Sequence, residues 1–194
     1  MARKTKQDWL TAGATILLTS GAQGLTIDAL LKEVGKTKGS FYHHFKGYDD
    51  YIAHYLRYFE QEGTLNIIEV VSKEATPQLR LHKLISVVTS YPSELEAAMR
   101  AWAFQDERVW DVFERVDQQR VAYVWEQFRP IVNNDAYALT LARTLYALLV
   151  GSEHMLPPAT NAQQCAMFNA FLDQFGIPPV TPAPSRFPQQ GTST

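Results

Sequence analysis

The sequence predicts an all-α protein, and three observations lead to that fold class. Apolar residues recur at the three- and four-residue spacing of a helix face through most of the 194 residues. Residues that start or stop helices, mainly Thr, Asn, Gly and Pro, stand between these stretches. No segment shows the alternation of apolar and polar residues that is typical of a β-strand. We therefore expect helices packed on helices.

The first third of the chain has room for four helices. A capping pair, Thr5 and Asp8, precedes an apolar stripe formed by Leu10, Gly13, Ala14, Leu17 and Leu18. Thr26 is the N-cap of a short second helix that ends at Gly35. Thr37 can cap a third, which carries Phe41 and Phe45 one turn apart, and a long fourth runs from Tyr48 to about Val71 with its apolar face on Tyr51, Ile52, Tyr55, Leu56 and Phe59.

The remaining helices are predicted beyond Thr76-Pro77 and then near residues 92–105, 107–130, 135–155 and 161–175. The breaks fall at Tyr91-Pro92, Pro130, Asn133-Asn134 and Pro157-Pro158. Half of the ten prolines lie from Pro178 onward, among Gly, Ser, Thr and Gln, and such a composition buries too little apolar surface to order itself. We expect a first helical domain over residues 1–47, a larger helical domain over 48–176 and a mobile Pro-rich tail over 177–194.

Charge is distributed unevenly along the chain. Residues 1–46 carry a net charge of +4, while the remainder carries −6. A basic segment on an acidic remainder indicates an anionic polymer or a membrane surface as partner of the N-terminal end, and an ordinary solvated surface is the alternative. The basic residues Arg3, Lys4 and Lys6 could reach a neighbouring phosphate or minor groove, or form a disordered terminus.

Composition indicates the cellular compartment of the protein and argues against disulfide bonds and a cysteine-based metal site. The single Cys165 can form neither an intrachain disulfide nor a Cys-based zinc site, which favours a reducing compartment. The N-terminus lacks the apolar core of a secretory signal, and the longest apolar stretch, residues 139–150, is too short and too polar to span a membrane. We expect a cytoplasmic protein without cofactor or metal.

The most informative stretch is residues 26–46, where two short helices meet at a glycine turn. In a helix-turn-helix the second helix enters the major groove of DNA, so one face packs on the core and the other carries small and hydrogen-bonding residues. Phe41 and Phe45 would supply the packed face. The expected DNA-contacting residues are Thr26, Lys36, Thr37, Lys38, Gly39, Ser40, Tyr42, His43, His44, Lys46 and Tyr48.

Over roughly residues 5–60 the sequence resembles the tetracycline-repressor-like (TetR) family of bacterial transcription regulators. The resemblance rests on Thr26-Ile27, Gly35, Gly39-Ser40, the run Tyr42-His43-His44-Phe45 and the acidic pair Asp49-Asp50. Two positions depart from the family pattern. Leu31 stands where Ala is usual, and Tyr48 stands where a phosphate-contacting Lys is common.

The resemblance implies an operator-binding homodimer that responds to a small-molecule effector. It implies that Tyr42 and His44 hold phosphates, that Thr26 caps the second helix against the DNA backbone, and that Lys38, Ser40 and His43 lie nearest the bases. A helix-turn-helix monomer makes few base contacts, so a dimer on a palindromic operator is expected. We expect repression, with release by the effector.

The C-terminal part supplies candidates for the pocket and the dimer interface. The resemblance places an effector pocket in the middle of the chain and the interface on the last two long helices. Aromatic and polar residues are the pocket candidates, with plain core as the alternative: Trp102, Phe104, Trp110, Phe113, Tyr123, Trp125, Phe128, Tyr146 and His154. Apolar stripes are the interface candidates, again with intramolecular core as the alternative: Leu141, Leu145, Leu148, Leu149, Phe168, Phe171, Leu172 and Phe175.

Rival functions find less support in the sequence. It contains no nucleophile elbow, His-Glu-x-x-His zinc motif, phosphate-binding glycine loop or Cys-x-x-Cys pair, so we expect no enzyme. Cys165 lies in an apolar helix pattern and is interpreted as a small buried residue. A membrane-surface protein would need one strongly basic amphipathic face, which is missing. The alternative that stays open is a helical protein-interaction module of the same fold without specific DNA binding.

Overall fold

A computed structural model describes residues 5–91 and 93–182, and within them the prediction of an all-α fold is confirmed. The helices are α1 (Lys6–Gly24), α2 (Ile27–Val34), α3 (Lys38–His44), α4 (Tyr48–Glu60), α5 (Asn66–Val71), α6 (Pro77–Val88), α7 (Glu94–Ala103), α8 (Glu107–Val132), α9 (Asp135–His154) and α10 (Asn161–Leu172). A π-helical turn, Gln61–Leu65, joins α4 to α5, and a 3₁₀ turn, Asp173–Phe175, follows α10.

The predicted helix starts rest on side-chain caps. Thr5 and Asp8 form a reciprocal capping box at α1, and the Thr26 hydroxyl accepts from the Ala29 N–H at 3.2 Å to start α2. Thr37 occupies the N-cap position of α3, but its side chain makes no capping hydrogen bond there. The helix break expected at Pro130 lies two residues later, since α8 includes Pro130 and continues to Val132. It ends there because the next residue, Asn133, has a φ of +49°, which a right-handed helix does not allow.

The chain forms two compact units. The first contains the described residues from Thr5 to Leu65 together with Glu94–Val116. Its core joins Trp9 of α1 and Phe41 of α3 to the buried face of α4, formed by Tyr51, Ile52, Tyr55, Leu56 and Phe59. This unit extends past the boundary predicted at residue 47, because the buried face of α4 packs in the same core as the helices before it.

The second compact unit contains the described residues of 66–93 and those from Asp117 to residue 182. Its core is made by α6, α8, α9 and α10, with Phe128, Leu145 and Phe168 among its most buried side chains. Cys165 is buried in this core with its Sγ 3.6 Å from Thr89 Oγ1, which agrees with its interpretation as a small buried residue.

The start of the predicted mobile tail needs correction. Ile177 and Val180 are buried in the second core, and the side-chain amide of Asn169 donates to the Val180 carbonyl while its oxygen accepts from the Val180 N–H. Residues 177–180 are therefore ordered by packing on α10, despite their prolines. The rest of the predicted tail from residue 183, and the basic residues Arg3 and Lys4, lie outside the described residues.

No helix in the described part of the chain combines the length and the apolar character needed to cross a membrane.

Candidate nucleic-acid interface

The turn between α2 and α3 is set by Gly35. Its φ of +67° lies in the left-handed region, where a side chain would be strained, and its N–H donates to the Leu31 carbonyl. The Lys36 N–H also donates to Leu31, at 3.1 Å, which closes the end of α2. This cap brings Thr37 to the start of α3 after only two residues.

Two phenylalanines hold α3 against the core, as the sequence predicts. Phe41 and Phe45 are 0% and 1% exposed. The Phe41 ring meets Trp9 of α1 edge-to-face at 5.5 Å between centroids, and the Phe45 ring meets Tyr51 of α4 at 5.1 Å. Phe41 lies within α3 and Phe45 directly follows its last turn, so together they hold one side of the helix against the core and leave the other side directed to solvent.

The solvent face of α3 carries hydrogen-bond donors and small residues. The Tyr42 side chain is 54% exposed and that of Lys38 is 69% exposed. A Cβ added at Gly39 would meet only the Thr37 hydroxyl, at 3.9 Å, so another surface can approach the backbone closely. Of the remaining predicted DNA-contacting residues, Thr26, Thr37, His43 and Lys46 are exposed, while Lys36, Ser40 and His44 are partly buried.

Lys38 has a partner that the sequence analysis missed. Its Nζ lies 3.7 Å from the carboxylate of Asp28 in the first turn of α2, and both side chains are largely exposed. The positive end of α2 favours an anion at this position, so Asp28 serves the helix and also faces Lys38. The turn at Gly35 brings these side chains, ten residues apart in sequence, together.

Tyr48 is a correction to the predicted contact set. Its hydroxyl donates to the Leu25 carbonyl at 2.6 Å, and burial raises the pKa of the phenol above its ordinary value. The single proton of this hydroxyl is used inside the fold, so the hydroxyl cannot donate to a phosphate as the usual lysine would. The interaction instead ties the start of α4 to the segment that follows α1.

The turn from α3 into α4 is closed by Asp50. Its carboxylate accepts from the Lys46 N–H at 2.8 Å, and this hydrogen bond is the main cause that holds the pKa of Asp50 below its usual range. The Lys46 side chain stays exposed. Asp50 thus has a structural use that the sequence pattern of an acidic pair alone did not reveal.

No protein-family model matches the sequence, and no curated protein is similar to it in sequence. Solved structures are similar in fold. A TetR transcription regulator from Haloarcula marismortui superposes with a TM-score of 0.71 at 21% identity over 88% of this chain and 95% of its own. A transcriptional regulator from Rhodococcus has a TM-score of 0.70 at 17% identity over 89% and 95% of the two chains, and the reduced form of Escherichia coli NemR one of 0.67 at 18% over 93% and 100%.

The chain has the fold of TetR-family transcriptional regulators. In this TetR fold α2 and α3 are the helix-turn-helix, and the exposed face described above belongs to its second helix. The similarity covers most of the chain, whereas the sequence motifs cover roughly residues 5–60. The all-α architecture predicted for the remainder is thus confirmed as well.

The predicted pocket residues do not form one site within either compact unit of the TetR fold. Trp102 and Phe113 are buried in the first core and Phe128 in the second, while Phe104 and Trp110 stand exposed in an edge-to-face pair with ring centroids 5.7 Å apart. These three buried rings are core, which is the alternative that the sequence left open. An open surface depression in the second unit, lined by Asn169, Ala170, Asp173, Ile177 and Pro179, contains none of the predicted residues.

Some pocket candidates in the second unit have defined polar partners. The Tyr146 hydroxyl donates to Asp117 Oδ1 at 2.6 Å and accepts from Arg120 at 3.3 Å. Trp125 donates from its indole to the Asp135 carbonyl at 3.2 Å. The remaining two candidates differ in exposure: Tyr123 is partly buried and His154 is exposed. Among the described residues, no group of three or more His, Cys, Asp or Glu side chains could hold a metal ion.

Half of the predicted dimer residues are intramolecular core. Leu141, Leu145, Phe168 and Leu172 are 1–5% exposed within a single chain, so their side chains are not available to a second copy. This part of the prediction is wrong because an apolar stripe has the same spacing in a core as in an interface. The partly exposed members of the set are Leu148, Leu149, Phe171 and Phe175.

Proposed function

We propose that the protein is a DNA-binding transcriptional regulator that recognises its operator through α3. The observation that carries the proposal is the division of α3 into an anchored and an exposed face. Phe41 and Phe45 fix its orientation, and Lys38, Ser40 and Tyr42 lie on the part directed away from the core. A rigidly held helix with exposed donors is what insertion into the major groove requires.

The chemistry of the exposed residues supports distinct roles at the DNA. Lysine, hydroxyl and imidazole donors hold phosphate oxygens, while side chains on the inserted helix read base edges. We assign Tyr42 and His44 to phosphates and Lys38, Ser40 and His43 to bases, following the resemblance. The net charge of +4 on residues 1–46 supports attraction to a polyanion.

The active form proposed here is a homodimer on a palindromic operator, because one short helix makes too few base contacts for specific binding. Two copies would place their recognition helices about 34–36 Å apart, one turn of DNA. Burial leaves four of the interface candidates partly exposed. Leu148 and Leu149 lie on α9, Phe171 lies on α10, and Phe175 lies in the turn that follows it.

Regulation by a small molecule completes the proposal. An effector that binds more tightly to the dimer with misplaced recognition helices would draw the population away from DNA and relieve repression. The polar cluster of Asp117, Arg120 and Tyr146 lies in the second compact unit and offers hydrogen-bonding groups of both kinds to such a ligand.

Selection of bound duplexes from a random DNA pool tests the proposed function. We expect enrichment of a palindrome bound by two protomers, and loss of most of the affinity in Tyr42→Ala. Tyr137→Ala is the matched control, since Tyr137 is also about half exposed but lies on α9. A folded dimer that enriches no duplex would contradict the proposal and favour the helical interaction module.

A further inference from the structure

Two arginines of α8 fasten helix α4 near both of its ends. Near the start, Arg108 donates from one terminal nitrogen to Asp49 Oδ1 at 2.8 Å. Its other two side-chain nitrogens donate to both carboxylate oxygens of Asp106, at 3.0 and 2.7 Å. The bidentate pair with Asp106 fixes the plane of the guanidinium, so the nitrogen directed at Asp49 is pre-oriented.

Near the other end of α4, Arg115 makes a bidentate pair with Glu60. The two distances are 2.9 Å to Oε1 and 2.8 Å to Oε2, and the side chain of Glu60 is only 12% exposed. Single exposed ion pairs contribute little, whereas a two-point guanidinium–carboxylate contact also fixes geometry. Both arginines lie in the part of α8 that belongs to the first compact unit, which ends at Val116.

The start of α4 is in turn joined to the DNA-reading helices. The Tyr48 hydroxyl binds the Leu25 carbonyl just before α2, and Asp50 binds the Lys46 N–H just after α3. A shift of the first turn of α4 therefore carries both ends of the helix-turn-helix with it. Asp49, the residue held by Arg108, lies in that same turn.

We propose that Arg108 and Arg115 are positioning residues for DNA recognition, because they make residues 107–116 of α8 part of the body that carries α3. The inference rests on the proposed function and adds a route by which α8 determines the placement of the recognition helix. Neither arginine needs to touch DNA for this role.

Charge-neutral double variants test the inference in the full-length protein. One double variant, Asp49→Asn with Arg108→Gln, removes the ion pair near the start of α4. The other, Glu60→Gln with Arg115→Gln, removes the ion pair near its end, and neither changes the net charge. The matched control is Asp135→Asn with Arg129→Gln, which removes an ion pair of 3.0 Å between the end of α8 and the start of α9 in the second unit. Asp106 continues to cap α8, because its carboxylate also accepts from the Arg108 N–H.

Two measurements are made on each variant: amide hydrogen exchange over residues 46–52, and affinity for the selected duplex. We expect exchange to become about twofold to fivefold faster and affinity to fall by a similar factor when either ion pair is removed, with neither change in the control. Unchanged affinity in both variants, or an equal fall in the control, would overturn the inference. If the wild-type protein selects no duplex, the proposed function fails independently of the inference about the arginines. Unchanged hydrogen exchange in both variants would then show that the two ion pairs do not hold α4 in place.

Discussion

Asp28 places a negative charge on the face proposed to meet DNA. It lies 3.7 Å from Lys38, and both side chains are exposed. A phosphate that approaches this face must compete with Asp28 for the lysine and also meets its charge. We therefore expect the pair to restrain DNA affinity from within the proposed recognition surface.

We predict that Asp28→Asn raises DNA affinity by up to about fivefold at low salt, since opposite charges about 4 Å apart in water interact by about 1 kcal/mol. Competition binding against both the selected duplex and an unrelated one measures the effect. Glu69→Gln is the control, because Glu69 pairs with an exposed lysine, Lys73, outside the helix-turn-helix. A fall in affinity for Asp28→Asn would contradict this interpretation and indicate that Asp28 reads a base.

Two glycines in helices have opposite uses. A Cβ at Gly13 would clash with the Tyr51 hydroxyl and press on the Tyr55 ring, whereas a Cβ at Gly39 would meet almost nothing in the free protein. Gly13 therefore permits the close approach of α1 and α4. Gly39 permits the approach of something outside the chain.

We predict that Gly13→Ala lowers the free energy of unfolding by about 1–3 kcal/mol through overpacking. Gly39→Ala should leave unfolding unchanged or slightly improved, because alanine favours helix by up to about 1 kcal/mol, and should weaken operator binding. Urea unfolding and DNA titration of both variants separate the two effects. Normal DNA binding by Gly39→Ala would show that no close approach occurs there.

At the scale of elements, α2 and α3 could be predicted from the sequence, whereas the contacts that α4 makes with the preceding helices could not. The cap at Thr26, the turn at Gly35 and the anchors Phe41 and Phe45 are local signals that the structure confirms. The expectation that Tyr48 contacts DNA is wrong because its hydroxyl donates to the Leu25 carbonyl, which is 23 residues away in sequence. Contacts of this kind are set by tertiary packing.

The apolar stripes predicted the helices correctly but did not predict which of their residues are buried. Leu18 was placed on the buried stripe of α1 and is 51% exposed, while Trp9, Ala12 and Ile16 are buried there instead. In α9, Leu145 is core and Leu148 is partly exposed, although both fit one stripe. Spacing gives the period of a helix but does not say which neighbour covers its apolar face.

The tyrosines of α4 make the first unit sensitive to alkaline pH. Burial raises the pKa of both Tyr51 and Tyr55 well above the ordinary value, so these phenols stay protonated in the folded protein. In the unfolded chain they ionise as the pH passes about 10. The folded state then binds more protons, so their contribution to stability is complete below about pH 10 and is lost as the pH rises further.

We predict that the free energy of unfolding falls more slowly above pH 10 in Tyr51→Phe than in the wild type, by up to about 1.4 kcal/mol per pH unit. The variant also loses the hydrogen bond from the Tyr51 hydroxyl to the Trp9 carbonyl. This loss lowers the free energy of unfolding by the same amount at every pH, including pH 8. Urea unfolding at several pH values from 8 to 11 distinguishes the slope from this offset. Tyr137→Phe, at an exposed position on α9, should keep the wild-type slope.

At the scale of the whole molecule, the helical fold and the helix-turn-helix followed from the sequence, while the extent of the compact unit that contains the helix-turn-helix did not. A boundary at residue 47 was expected from the end of the helix-turn-helix pattern. The compact unit instead includes α4, α7 and the first part of α8, because their buried side chains close the core around Trp9 and Phe41. The predicted effector pocket had the weakest basis in the sequence, since aromatic residues belong to cores as well as to pockets.

The central claim is that α3 binds DNA, and the salt dependence of duplex binding in Lys38→Gln tests it most directly. Each phosphate neutralised adds about 0.9 to the slope of log affinity against log salt, so loss of Lys38 should reduce the slope by about 1 per protomer if it neutralises a phosphate. If it instead reads a base, affinity should fall mainly for the selected duplex. Lys73→Gln is the control, because its side chain is 70% exposed against 69% for Lys38 and is likewise paired with a carboxylate. A wild-type slope and affinity in Lys38→Gln, or an equal change in Lys73→Gln, would contradict the account.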